Sequence, residues 1–235
     1  MRIISVAGKK DSGKTSLSSR IIKELTNRDY KVASIKHSHH KMEMDHEGTD
    51  TYKHTMAGSR FTVGIGNRTY FNINESFSLE RLLFLIKLID EPDFVVIEGF
   101  KNYNYPKFST SPDLDDEYTI EVVDAKNLSD DDLNLLVDKA EKYAYDLLPT
   151  LYTKDCGYKD PNSIAKAIIN DELTYDNNKQ AEVSLSVDGN VIGLNEFVEA
   201  FIKNTIMGML KSIKVKEYGA SDFNNIQISI NKKEK

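Results

Sequence analysis

Gly8, Lys9, Lys10, Asp11, Ser12, Gly13, Lys14 and Thr15 stand in a row near the start of the chain, and the octet fits the pattern G-x-x-x-x-G-K-[ST]. Residues of these types at this spacing bind a run of phosphates. Glycine lets the backbone wrap closely enough for its N–H groups to face phosphate oxygens. Lys14 supplies a point charge between the terminal phosphates, and the Thr15 hydroxyl reaches the magnesium ion that bridges them. The chemistry implied is that of a nucleoside triphosphate with magnesium. A glycine turn that only resembles such a loop is the competing reading, and the flanking residues weigh against it. An apolar run of buried-strand length precedes the octet at 3–7, and the helical stripe Leu17, Ile21, Ile22 and Leu25 follows it. That helix brings its positive N-terminal end to the same phosphates.

Such a site also needs an acid near the metal. Phe94, Val95, Val96 and Ile97 lead to Glu98 and then Gly99, the pattern of a central parallel strand whose tip carries a carboxylate. Ligands of open α/β sheets gather at the carboxyl ends of the strands, which puts Glu98 near the loop; an acid at an exposed strand end is the alternative. Asp45, in a polar stretch further back, is a third candidate for the metal shell or its water, with simple loop solvation equally open. Lys14, Asp45 and Glu98 are therefore the candidate catalytic groups, and Thr15, Asp45 and Glu98 the candidate metal ligands. The five histidines, His37, His39, His40, His46 and His54, fall in one stretch. Imidazole suits zinc and nickel, yet no spacing here is the diagnostic zinc pattern and no cysteine lies among them. The simpler reading has Lys36, His37 and His40 lining the phosphate pocket as donors to anions.

The elements that must position these groups alternate strand and helix. Strands are expected at 3–7, 31–36, 93–98 and 118–123, with helices at 13–27, 50–57 and 78–89. Residues 60–65 and 68–73 flank Gly66-Asn67 and read as a hairpin. Ser129 followed by three aspartates starts a helix that Pro149 stops. This order predicts an α/β fold with a mostly parallel central sheet flanked by helices, joined by right-handed crossovers. It occupies residues 1–150. Residues 151–235 are expected to add a small α+β domain: a hairpin around Asp188-Gly189, a long amphipathic helix through Leu194, Phe197, Val198, Phe201, Ile202, Ile206, Met209, Leu210 and Ile213, and a closing strand at 226–230. The helix is expected to pack its apolar face on its own sheet, with a partner-binding face as the minority reading. The lysine-rich tail reads as disordered.

Composition narrows the function classes. A net charge of −6 offers no electrostatic footprint for nucleic acid. The single cysteine, Cys156, excludes an internal disulfide framework and suits a reducing cytosol. The first residues are already strand and loop, so no N-terminal signal is expected. The most apolar helical window, 79–89, is short and carries Glu80, Arg81 and Lys87, so it reads as a core-facing helix and not a membrane span.

Several motifs in order carry a family resemblance. The octet with Lys14-Thr15, then Ile35-Lys36-His37-Ser38-His39-His40, Asp45, Gly48, Asp50, Ala57-Gly58, Val96-Ile97-Glu98-Gly99-Phe100-Lys101 and Pro106-Lys107 resemble the molybdopterin-guanine dinucleotide biosynthesis protein B family, MobB, across roughly residues 1–150. The resemblance implies a GTP-binding P-loop NTPase with weak hydrolysis. It further implies a homodimer that assists the guanylyltransferase attaching GMP to a molybdopterin-type cofactor. Carried over by position, Gly8, Lys9, Lys10, Asp11, Ser12, Gly13, Lys14, Thr15 and Ser16 hold phosphates, Thr15 and Glu98 serve magnesium, and Lys36, His37 and Asp45 belong to a switch-like region.

Guanine preference rests on the resemblance alone. The usual Asn/Thr-Lys-x-Asp tetrad is absent: Asn231-Lys232-Lys233-Glu234 is a tail and Thr153-Lys154-Asp155-Cys156 ends in the wrong residue. Lys9 stands at a loop position where one class of dimeric P-loop proteins carries a lysine that reaches the partner's phosphates; a plain surface lysine is the bland reading. Residues 150–176 resemble a small iron–sulfur module found as an extension in some archaeal members of the family. A four-iron cluster needs four thiolates and this chain has one, so no cluster is expected. The mechanism expected is electrostatic, with slow turnover because no arginine finger is evident. Hydrolysis either drives cofactor maturation or is incidental to a nucleotide-dependent adaptor. A nickel or zinc metallochaperone GTPase and a small-molecule kinase are the alternatives.

Overall fold

Side-chain alternation along three strands organises the computed structural model, which describes residues 1–38, 45–151, 157–175, 181–214, 217 and 225–230. Strand β1 (Arg2–Ala7) leads through the glycine loop into α1 (Lys14–Asn27), and β2 (Val32–Lys36) follows. Beyond α2 (Asp50–Met56) and the antiparallel hairpin of β3 (Phe61–Ile65) and β4 (Thr69–Ile73) come α3 (Leu79–Asp90) and β5 (Phe94–Glu98). Then follow β6 (Lys107–Ser109), β7 (Thr119–Val122) and α4 (Asp130–Tyr143). The central sheet has the order β2-β5-β1-β6-β7 with every strand pair parallel.

Successive residues of a strand point to opposite faces. Ile4, Val6, Phe94 and Val96 therefore share one face, where Leu17, Ile21 and Leu25 of α1 and Leu133, Leu136, Val137 and Ala140 of α4 close over them. Ile3, Val95 and Ile97 share the other, covered by Leu79 and Leu83 of α3. A parallel sheet covered on both faces needs near-continuous apolar strands, which β1 and β5 supply. Arg28 ties the end of α1 to α4 through Asp138 at 2.6 Å and Glu141 at 2.9 Å.

One strand was not foreseen, and three expectations are corrected. The strand β6 is only Lys-Phe-Ser and carries no apolar run, yet it lies between β1 and β7 and is buried. Lys107 is 1% exposed, and its ammonium is neutralised by Asp116 at 2.7 Å and donates to the Lys101 carbonyl at 3.1 Å. Helix α4 ends at Tyr143, before Pro149, because Tyr145 turns to form an antiparallel bridge with Ile3, whose N–H donates to the Tyr145 carbonyl at 2.8 Å. Backbone N–H groups inside a core need a partner, and β6 begins too late along β1 to provide one there. Residues 226–230 form no strand, and Ile228 and Ile230 are exposed. The long amphipathic helix α6 (Glu196–Ser212) buries none of its residues, and Phe197 is 71% exposed.

After residue 150 the chain continues to contribute to the first core. Helix α5 (Pro161–Ile169), capped by Asp160 accepting from Ser163 N, packs Ile164, Ala165 and Ile168 with Ile3, Ile97, Tyr105 and Tyr145. The hairpin of β8 (Leu185–Val187) and β9 (Asn190–Ile192) turns at Asp188 and Gly189, both at positive φ, as an Asp-Gly turn should. A Cβ at Gly189 would lie 3.5 Å from Arg81 of α3, so this hairpin rests against the main body. Cys156 and the tail 231–235 lie outside the described residues, as do His39 and His40.

Candidate functional site

Register places the first pair of groups. In the parallel ladder Lys36 of β2 is the Cα partner of Glu98 of β5, and Glu98 is that of Val6 of β1, one residue before the loop approaches. Glu98 shares its strand parity with Phe94 and Val96, so it lies on the face that α1 covers, at the level of that helix's first turn. Thr15, in that turn, donates to Glu98 Oε1 at 2.8 Å, and Lys36 Nζ approaches the same oxygen at 3.0 Å and Thr15 Oγ1 at 3.4 Å. Three expected site residues thus converge at the carboxyl edge of the sheet.

The loop itself needs its two glycines for different reasons. A Cβ at Gly8 would stand 1.9 Å from Thr110 Oγ1, so Gly8 is demanded by close approach. Gly13 sits at φ 87°, a left-handed conformation, and a Cβ there would also meet Ala125 at 2.9 Å. Gly13 is the N-cap of α1, with no side-chain cap and no acid in the first turn. Among the described α-helices α1 alone lacks such a cap: Thr49, Ser78, Ser129, Asp160 and Asn195 cap the others. Uncapped N–H groups at a helix start carry positive potential and call for an acceptor.

Lys14 Nζ folds back to donate to the Lys9 carbonyl, which also accepts from Ser12 Oγ at 2.7 Å. Lys9 N–H donates to Ser111 Oγ at 2.9 Å, and Lys9 Nζ pairs with Asp113 at 2.8 Å. That pairing, through the hydrogen bond from Lys9 first, holds the Asp113 carboxyl below its ordinary range. Ser12 Oγ lies 2.6 Å from Thr110 Oγ1. Thr110, Ser111 and Asp113 therefore form a second wall against the loop that the sequence reading missed. Their only signal is a short polar run after Pro106-Lys107. Lys10, Asp11 and Ser16 lie on the exposed side of the loop and helix start, with Asp11 at φ 60°.

Asp45 is not brought to this cluster by any hydrogen bond among the described residues. Its Oδ1 accepts from Thr49 Oγ1 at 2.7 Å, Thr51 Oγ1 at 3.1 Å and His46 N–H at 2.9 Å, and these bonds, that from Thr49 first, hold its carboxyl below the ordinary value. Oδ2 is enclosed without a hydrogen-bond partner among the described residues. His37 donates its N–H to the Glu98 carbonyl at 2.9 Å and stacks its ring on Phe100 with centroids 4.1 Å apart. Gly99, at φ 101°, lies under the His37 backbone. Among the described residues no three His, Cys, Asp or Glu side chains are grouped so as to hold a metal.

The parallel sheet, the glycine loop and the uncapped helix together define an α/β protein of P-loop NTPase-like fold. Comparison with known proteins narrows this. Residues 3–124 match the family model described as molybdopterin guanine dinucleotide synthesis protein B, MobB. A putative molybdopterin-guanine dinucleotide biosynthesis adapter protein of Methanocaldococcus jannaschii is 34% identical over 228 residues, covering 91% of this chain and 92% of the relative. The adapter protein of Haemophilus influenzae is 35% identical over 107 residues, 45% of this chain and 60% of that one. Among solved structures, Bacillus subtilis MobB aligns with 46% of this chain and 67% of its own at 30% identity and a TM-score of 0.41. The chain belongs to the MobB family.

Proposed function

We propose that the chain is a nucleotide-dependent adapter in molybdopterin-guanine dinucleotide synthesis, binding GTP with magnesium at the loop of residues 8–16 and assisting the guanylyltransferase that attaches GMP to the molybdopterin-type cofactor. The observation that carries the nucleotide part is the uncapped start of α1 opening onto the paired oxygens of Thr15 and Glu98. The adapter role and the guanine base are supported by the names of the relatives, which are molybdopterin-guanine dinucleotide biosynthesis adapter proteins.

The residues fit magnesium. Thr15 Oγ1 and Glu98 Oε1 are hard oxygen donors 2.8 Å apart, and a lysine ammonium already lies against both. Bound there, magnesium would neutralise charge on the phosphates. The chain's own groups do the rest. Backbone N–H groups of the loop and of the first turn of α1 orient the phosphates, and Lys14 leaves the Lys9 carbonyl to meet the terminal ones. Thr110 and Ser111 hold the loop in place from behind. Asp45, fixed by Thr49 and Thr51, is the group that a rearranged loop would bring to the water shell. With stabilisation but no strong base at the attacking water, hydrolysis is slow.

The homodimer is supported by the β3–β4 hairpin. Phe61, Val63, Ile65, Phe71 and Ile73 share one face of it, and Ile65 is 82% exposed. Its other face is occupied, with Thr62 and Asn72 hydrogen-bonded to Thr55 of α2. No helix among the described residues is long and apolar enough to cross a membrane, and the cytoplasm is the compartment we assign. Calorimetric titration with GTP and with ATP, each with and without magnesium, tests the nucleotide reading. Guanylyltransferase turnover with and without the protein tests the adapter reading. Tight magnesium-dependent GTP binding and faster transfer are expected; absence of triphosphate binding would refute the first reading, and unchanged transfer the second.

A further inference from the structure

Lys36, Thr15 and Glu98 form a closed triangle with sides of 2.8, 3.0 and 3.4 Å. We propose that the Lys36 ammonium is a built-in surrogate cation, holding the divalent-metal position of the nucleotide-free protein and leaving it when a metal–triphosphate complex arrives. This rests on reading the site as one for a magnesium triphosphate.

The pairing is set by the backbone. Lys36 and Glu98 are Cα partners in adjacent parallel strands, so their side chains leave the sheet on one face and at one level. The two partners are unequally exposed, with 50% of the Lys36 side chain accessible against 13% for Glu98. A largely enclosed carboxylate needs a counter-charge at all times, because leaving it bare and unpaired is costly. The accessible lysine, on a flexible four-carbon stem, is the partner able to withdraw.

An ammonium and a divalent ion seek the same hard oxygens, and they cannot both hold Thr15 Oγ1 and Glu98 Oε1. In the free protein the ammonium wins, since a bare metal would have to displace it with nothing to receive the freed charge. A triphosphate changes that balance, because its anionic oxygens arrive beside the loop and give Lys36 a new partner. Metal and nucleotide affinities are then coupled, and coupling of this kind is reciprocal. The protein would ignore magnesium alone and accept it with nucleotide. Lys36 is a positioning residue in this account, acting on the metal's access to its ligands.

The test is manganese binding to the full chain without nucleotide, read from the signal of free manganese by electron paramagnetic resonance. Lys36→Met removes the charge and keeps the stem, and it should bind manganese about fivefold more tightly than wild type. Lys36→Arg should behave as wild type, and the gain should vanish in Lys36→Met with Glu98→Gln. If Lys36→Met fails to give a native circular dichroism spectrum, Lys36→Gln reads the same gain. A neutral variant no tighter than wild type would overturn the proposal, and a merely structural ion pair predicts just that, with a lower melting temperature. A parallel titration of wild type with manganese–GTP separates the two readings. Glu98-dependent binding there with no gain in the neutral variant sinks only the surrogate cation, whereas no manganese–GTP binding sinks the site reading and this inference with it.

Discussion

The face of the central sheet under α1 and the long helix α6 are both amphipathic in sequence, and only the first is fully buried, the second having Val198, Ile202, Ile206 and Leu210 half-buried. Leu17, Ile21 and Leu25 meet Ile4, Val6, Phe94 and Val96 and are wholly buried. Phe197, Phe201 and Met209 of α6 have the same helical spacing and stay exposed. The difference lies in what each faces. A five-stranded parallel sheet offers a broad apolar surface, whereas the nearby hairpin β8–β9 has three residues in each strand and is already used against α3. Amphipathic periodicity thus announces a face seeking cover and does not say that the chain provides it. Lys36 and Glu98 of the candidate site hang from that covered sheet.

Truncation gives the largest separation between the two regions. Ile21→Ala should cost about 2–5 kcal/mol in chemical denaturation, since it leaves a cavity under the sheet. Phe201→Ala should change the same measurement by less than about 0.5 kcal/mol. Comparable losses at both positions would show that α6 is packed and end the comparison.

Buried charge at β6 gives the next effect. Asp116→Ala strips the carboxylate from Lys107 and should cost about 1–3 kcal/mol, because the buried ammonium would keep only the Lys101 carbonyl and the face of the Tyr118 ring. Lys107→Met should be far milder, as an apolar side chain of similar length suits that site. If the lysine variant proved the worse of the two, Lys107 would have a role beyond filling the sheet.

The smallest effect is a pH dependence. Asp45, Asp113 and Asp160 are held below their ordinary carboxylate values chiefly by hydrogen bonds from Thr49, Lys9 and Ser163. A carboxyl depressed in the folded state stabilises the fold above its unfolded pKa, and that contribution is lost as pH falls through the folded value. The contribution of these three carboxyls should therefore be full near neutrality and decline below about pH 4. In nuclear magnetic resonance titration Thr49→Val should move Asp45 back toward its ordinary value. An Asp45 that titrates normally in the wild type would remove the threonine cage from the account.

Much of the sheet was legible because its strands are near-continuous apolar runs ending in informative residues, as in Phe94-Val95-Val96-Ile97-Glu98. The convergence of Lys36, Thr15 and Glu98 was legible in outline from the rule that ligands gather at the carboxyl ends of parallel strands. Three things were hidden for physical reasons. Strand β6 contains a buried lysine whose partner, Asp116, comes later in the chain, so local pattern reads it as loop. The end of α4 is set by a tertiary bridge to Ile3 and not by the proline that follows. The wall of Thr110, Ser111 and Asp113 depends on the β1–β6 pairing, a contact across about a hundred residues that no local pattern encodes.

The central claim is that the loop and the start of α1 hold a triphosphate through Lys14, and calorimetry of GTP binding to Lys14→Ala tests it most directly. The substitution removes the charge between the terminal phosphates and leaves the backbone cradle and the core untouched. The account predicts a fall in magnesium–GTP affinity of at least about tenfold, by loss of a charge-assisted contact, with the melting temperature close to that of wild type. Wild-type GTP affinity in a folded Lys14→Ala protein would contradict it.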